Sequence, residues 1–187
     1  MGIVSNFMLN RDDAVLVVID VQEKLCLAMD EKILAALTKR IGILQEAAKE
    51  LQIPQIGTEQ YVKGLGETIA ELKGRFTAPA IEKMTFSCCG ETTFPEHLRE
   101  LGRKQIIITG MEAHVCVLQT VLQLLEAGYI VHVVADAVMS RKKENWQIAL
   151  GVARQAGAVI TSTEAALFQL LRVAGSDEFK KLSKLVR

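Results

Sequence analysis

The sequence has no excess charge of either sign: 22 Lys and Arg stand against 22 Asp and Glu. A nucleic-acid or anionic-membrane surface needs a clustered basic excess, so neither partner is expected. No apolar run reaches the roughly 20 residues of a membrane span. The opening MGIVSNFMLN lacks a charged segment followed by an apolar core, so no secretory leader is expected. Cysteine is sparse: Cys26, Cys88, Cys89 and Cys116 show no metal-ligand spacing, and a chain of this size does not need disulfide staples. With only His97, His114 and His132 beside them, the expectation is no metal, no cofactor and a reducing cytoplasm. Repeats, low-complexity stretches and linkers are also missing, which leaves one domain over residues 1–187.

What is present is apolar: half of the 187 residues are hydrophobic. A chain of this length buries roughly 70% of its unfolded surface. Ala14–Asp20 is a continuous β-branched run suited to a central parallel strand. Asp30–Leu51 repeats apolar residues at helical spacing, with acids in its first turn. A second strand is expected at Ile53–Gly57, then a polar, glycine-bearing loop over Glu59–Gly74 with room for a short helix, and a third strand at Ala80–Met84. A helix over Phe94–Leu101, capped by Thr92 or Thr93, leads to a fourth strand at Ile106–Thr109. Gly110 reads as a turn, and Val115–Ala127 as the helix after it, closed by Gly128. Tyr129–Ala135 is the fifth strand, ending at Asp136, followed by a helix over Lys143–Ala156. Ala158–Thr161 is the sixth strand, followed by a helix over Thr163–Val173 capped by Thr163 and a last helix over Asp177–Val186. Strands alternating with helices predict an α/β fold on a parallel sheet, doubly wound if the strand order reverses once.

In such a fold, ligands bind beyond the carboxyl ends of the strands. The first, third and fourth strands bring Asp20, Lys83 and Cys116 to that edge: an acid, a cation and a nucleophile. A cysteine opening a helix sits where the macrodipole and free N–H groups favour a thiolate, and a nearby cation does the same. A carboxylate in reach can take and return the proton. Each residue also has a structural reading. Asp20 as a cap, Lys83 as a solvated strand end and Cys116 as small core filler are all compatible with the pattern.

Three motifs in order make the pattern specific: VVIDVQ at Val17–Gln22, EKMTFS at Glu82–Ser87 and GMEAHVCVLQT at Gly110–Thr120. With DAVMSR at Asp136–Arg141 and GAVITST at Gly157–Thr163, the chain resembles the isochorismatase-like cysteine hydrolase superfamily along nearly its whole length. TEQYVKGLG at Thr58–Gly66 resembles the isochorismatase domain-containing group within it. The resemblance implies a three-layer, Rossmann-like sheet of six parallel strands in the order 3-2-1-4-5-6, with helices on both faces. It implies a catalytic triad of Asp20, Lys83 and Cys116, and a cis peptide between Met111 and Glu112. The N–H groups of Glu112 and Cys116 would then form an oxyanion hole, and Gln22, which matches the family's usual glutamine, would line or brace the substrate pocket. Tyr61 and Phe86 are further candidates for the wall of that pocket. The implied activity is metal-independent hydrolysis of a C–N bond in a small amide-like substrate through a thioester on Cys116. A homo-oligomer, with subunits completing the pocket, is also implied.

Other readings compete. Thr58-Glu59-Gln60-Tyr61 lacks the D-x-H metal pattern of nicotinamidases, and Cys116 argues against the vinyl-ether chemistry of true isochorismatases. His114 reads as a turn residue before a Cys-His partner, Trp146 as core or subunit contact, Asp136 as a structural bond to a turn, and Cys88-Cys89 as core filler. Gly64-Leu65-Gly66 fails the dinucleotide fingerprint, because position 69 is Ile69. A catalytically silent binding or scaffold protein, and a thiol redox sensor pairing Cys116 with Cys88 or Cys89, are the alternatives to an enzyme.

Overall fold

The computed structural model describes residues 3–187. Met1 and Gly2, the start of the stretch read for a leader, lie outside the described residues. Strand β1 spans Ala14–Ile19 and is followed by a one-turn helix α1, Glu23–Cys26, and the long α2, Glu31–Glu50. Then come β2 (Gln55–Gln60), the short α3 (Val62–Leu65) and α4 (Ala70–Lys73), and β3 (Ile81–Lys83). Helix α5 (Thr93–Leu101) leads to β4 (Gln105–Met111), and α6 (Leu118–Glu126) to β5 (Ile130–Met139). The chain closes with α7 (Lys143–Gln155), β6 (Val159–Thr161), α8 (Thr163–Leu171) and α9 (Asp177–Leu182).

All six strands form one parallel sheet in the order β3-β2-β1-β4-β5-β6, as the resemblance implied. Every residue of β1 is buried, because its side chains alternate into two cores. Leu16 and Val18 pack with Leu37, Ile41 and Leu44 of α2 on one face. Val15, Val17 and Ile19 pack with Val121 and Leu124 of α6 and Ala149 of α7 on the other. Full burial of each such side chain stabilises the fold by about 1.5–3 kcal/mol. β1 lies between β2 and β4, so the strand order reverses beside it, and this is the crevice where an open α/β sheet binds ligands.

Several expectations change in detail. β4 runs through Gly110, which is no turn: its φ is 107°, and a Cβ there would lie 2.0 Å from the Ile19 carbonyl oxygen. Close approach of the β1 and β4 backbones, together with a register shift against β5 between Ile108 and Gly110, explains that glycine. β5 continues through Asp136 to Met139. The stretch read as a loop with a short helix folds into the end of β2 and two short helices, α3 and α4. Before α6 the chain makes a π-type turn, Ala113–Val117, and the expected last helix ends as a 3₁₀ turn, Ser183–Val186. Thr163 does not cap α8. Ser162 does, accepting from Ala165 N, while the N–H and hydroxyl of Thr163 both donate to Asp136 Oδ1. Thr92 precedes α5 without a capping hydrogen bond.

Candidate active site

The end of β1 is bent sharply. Asp20 has φ 50°, a left-handed conformation that aspartate tolerates better than most side chains. Its N–H donates to Thr58 O of the neighbouring β2, and the bend turns its carboxylate into the crevice between strands rather than along β1. Thr58 lies opposite Ile19, and its hydroxyl donates to Asp20 Oδ1 at 2.7 Å. Lys83 ends β3 in register with Gln60, one strand further out, and its ammonium reaches back under β2. It lies 2.7 Å from Asp20 Oδ2, and neither side chain is exposed at all. The other ammonium protons go to Gln60 Oε1 at 2.6 Å and Phe86 O at 2.9 Å, with Thr85 O at 3.3 Å. Lysine has three donors and no acceptor, so this cage accepts only the charged form. Burial pulls the Lys83 pKa down, but Asp20, Cys116 and Cys88 together raise it above its ordinary value.

Cys116 lies in the π-type turn that follows β4, buried, and near enough to Asp20 for the carboxylate's charge to act on its thiol. This places the sulfur on the β4 side of the carboxylate and the ammonium on the β2–β3 side. The expected thiolate is not the resting state. Burial pushes the Cys116 thiol up to about 12, the Asp20 charge pushes the same way, and Lys83 opposes both. The proton therefore stays on sulfur at neutral pH, beside a carboxylate able to receive it. The Met111–Glu112 peptide is cis. Glu112 is buried, and its carboxylate accepts from Arg141 N at 2.9 Å and Arg141 Nε at 3.1 Å.

The remaining candidates separate. Gln22 does not line a pocket. It is fully buried, its Nε2 donates to Gln60 O and Gly66 O, and its Oε1 accepts from Gln60 N, so its amide braces the β2 end. Tyr61 lines a cleft of about 260 Å³ with Val62, Lys63, Glu82, Lys83, Met84 and Glu91. Phe86 gives its carbonyl to Lys83 while its side chain is exposed. Met111 is core, and only its backbone borders the site. His114 is no partner for Cys116: Nδ1 pairs with Ser140 Oγ at 3.0 Å and Nε2 with Asn145 Nδ2 at 3.2 Å. Trp146 donates to Ala135 O, and Asp136 ties β5 to Thr163 and Arg40. Among the described residues no cluster of three His, Cys, Asp or Glu converges as a metal set.

Sequence patterns do not single out Thr58, Gln60 and Glu91 as site residues, and they offer Cys88 only as core filler or as a redox partner of Cys116. Thr58 and Gln60 become legible once β2 is extended to Gln60, because a parallel partner of β1 must end beside Asp20. Glu91 accepts from Met84 N, Thr85 N and Thr85 Oγ1, clamping the loop whose carbonyls hold Lys83. These backbone hydrogen bonds hold the Glu91 carboxyl below its usual range.

The family model for the isochorismatase domain matches residues 14–165. The chain is 47% identical over 150 residues to the secreted isochorismatase effector Isc1 of Phytophthora sojae, covering 75% of this chain and 70% of that protein. The structure of the MAR1 ribonuclease from Caenorhabditis elegans superposes with a TM-score of 0.89 at 38% identity, covering 96% of this chain and 92% of that one. The Escherichia coli YcaC gene product, described as an octameric hydrolase of unknown specificity, superposes with a TM-score of 0.88 at 27% identity, covering 95% and 88%.

Proposed function

Because the chain belongs to the isochorismatase family, we propose that its hydrolase activity is that of a metal-independent cysteine amidohydrolase, with Asp20, Lys83 and Cys116 as the catalytic residues. One observation carries this reading: a buried acid, ion-paired to a caged lysine, lies against a buried thiol at the point where the strand order reverses. Asp20 takes the Sγ proton as sulfur bonds to the substrate carbonyl carbon, so thiolate character develops only as attack proceeds. Lys83 remains charged and offsets the negative charge of the site. The N–H groups of Glu112 and Cys116 serve as donors to the oxyanion, and one such donor is worth about 3 kcal/mol in the barrier. The tetrahedral intermediate expels the amine, which leaves with the proton from Asp20. Asp20 then takes a proton from water, hydroxide adds to the thioester, and sulfur departs and is reprotonated as the acid is released. Tyr61 and Phe86, half-exposed beside Lys83, are the apolar groups available to a small substrate, and the octameric state of the E. coli relative supports a homo-oligomer that covers them. A cytoplasmic setting rests on the cysteine pattern alone. The ribonuclease activity named for the C. elegans protein stays with that protein. A balanced charge of 22 against 22 offers no basic excess for RNA.

The test is alkylation by iodoacetamide at neutral pH with peptide mapping. Burial pushes Cys26 and Cys89 up to about 11 and Cys88 up to about 12, so none of these is a ready thiolate. Cys116 alone has a base beside it and is expected to label first, with Asp20→Asn abolishing the preference. A panel of amides, ureides and esters is expected to yield turnover that Cys116→Ala removes. Equal labelling of the cysteines, with no turnover across the panel, would instead favour the silent scaffold.

A further inference from the structure

The buried thiol that the mechanism does not use is wired into the site. Cys88 is wholly buried in the 3₁₀ turn Cys88–Gly90. Its Sγ donates to Thr58 Oγ1 at 3.8 Å, a long sulfur hydrogen bond. Thr58 has a single hydroxyl proton, and it goes to Asp20 Oδ1 at 2.7 Å. On its backbone side, Cys88 N donates to Thr120 Oγ1 at 3.0 Å, and that hydroxyl donates to Cys116 O at 2.7 Å. The turn is thus bonded through one threonine to the acid and through another to the nucleophile. Asp20 Oδ2 has the Lys83 contact and no other partner among the described residues.

We infer that Thr58 and Cys88 are positioning residues that act through Asp20: their directional chain, S–H to hydroxyl and hydroxyl to Oδ1, orients the carboxylate and favours its charged form, which is the form that takes the proton of Cys116. The inference rests on Asp20 being the base for Cys116. A hydrogen bond to the ionised form of a carboxylate favours that form. The chain therefore restrains proton transfer until substrate is attacked, keeping the thiol protonated at rest. The charged and titratable groups that meet the Asp20 carboxylate are Lys83 from β3, Cys116 from the π-type turn and, through Thr58, Cys88 from the 3₁₀ turn.

The experiment is the rate of Cys116 carboxamidomethylation by iodoacetamide as a function of pH, on the full chain. In that step sulfur bonds to the reagent's methylene carbon, the C–I bond breaks and iodide leaves. The wild type is expected to show an acid limb, a plateau due to sulfur that has passed its proton to Asp20, and a final rise toward a thiol pKa of about 12. Thr58→Val removes the donor to Oδ1. The plateau should rise about tenfold and the acid limb move up by about one pH unit, while the lowest and highest pH rates overlay the wild type. Thr58→Ser keeps the hydroxyl and should restore the wild-type profile. Cys88→Ala should shift the plateau the same way by about two- to threefold, since a thiol is a weak donor, and Cys88→Ser should not. If Thr58→Val does not fold, the Cys88→Ala and Cys88→Ser pair decides alone. A wild-type plateau that neither variant moves, or a uniform change at all pH values, overturns the inference and leaves the hydrolase reading intact. A wild-type profile without a plateau overturns both.

Discussion

Among single residues, one competition decides the chemistry. A helix terminus stabilises an anion by typically 0.3–1 kcal/mol, up to about 2. Raising a thiol from 9.0 to about 12 corresponds to about 4 kcal/mol against the anion. Burial wins, so Cys116 needs a base, and Asp20 is the carboxylate whose charge acts on it. Lys83 supplies the complementary charge. Three short contacts, to Asp20, Gln60 and Phe86, occupy its three protons, and its side chain has no exposed surface. Breaking a buried ion pair by deleting one partner costs about 3–5 kcal/mol, because the other charge stays buried. Lys83→Ala should therefore lower the unfolding free energy by that amount in a urea titration, as well as abolishing turnover. A loss under about 1 kcal/mol would mean that Asp20 is not held as a buried charge.

Among the elements, the site depends on strand ends meeting at unequal heights. β1 must stop at Ile19 so that Asp20 can turn, while β4 must run on past Gly110 before its turn delivers Cys116. Gly110 allows both, because its Cα passes against the Ile19 carbonyl. Gly110→Ala places a methyl group 2.0 Å from backbone and demands a left-handed alanine. Backbone cannot give way as a flexible side chain does. The expected cost is about 4 kcal/mol or more, read as a loss of soluble folded protein or a large fall in the urea midpoint. Gly64, where the edge of the Tyr61 ring fills the space of a Cβ, offers the contrast of a neighbour that can rotate.

For the whole molecule, buried titratable groups set the pH range of stability. The unfolded chain loses its thiol protons from about pH 9, but the fold keeps those of Cys88 and Cys116 to about 12. The folded state then binds more protons, so stability falls as pH rises, by about 1.4 kcal/mol per pH unit for each buried thiol. Lys83 acts in the same window: its raised pKa stabilises below the unfolded value of 10.5, and that contribution is lost as pH rises through the folded one. At the acid end burial lowers His132 to about 4, with the Asn6 backbone acting in the opposite direction. Its contribution is complete above about pH 6.5 and is lost as pH falls through 4. A plot of Tm against pH should be flat between about 6.5 and 9 and fall by several degrees on either side. His132→Leu should flatten the acid side alone, and a Tm constant from about pH 8 to 10.5 would contradict the alkaline half.

The order of residues along the chain is enough to establish the α/β class and to bring Asp20, Lys83 and Cys116 forward as candidates at strand ends. Apolar runs ending in polar residues are local signals, and a parallel sheet puts all such ends on one edge. That order specifies what flanks Cys116 in the chain, but not what surrounds it in space. Four features emerge only in the folded molecule: Gln22 braces the β2 end, the one of its two readings that the fold selects, Gly110 lies within a strand, Thr58 and Cys88 reach Asp20, and the thiol rests protonated. Each of these depends on burial or on a contact between strands far apart in the chain, and no periodicity along one segment encodes the dielectric or the neighbours it will meet in the next.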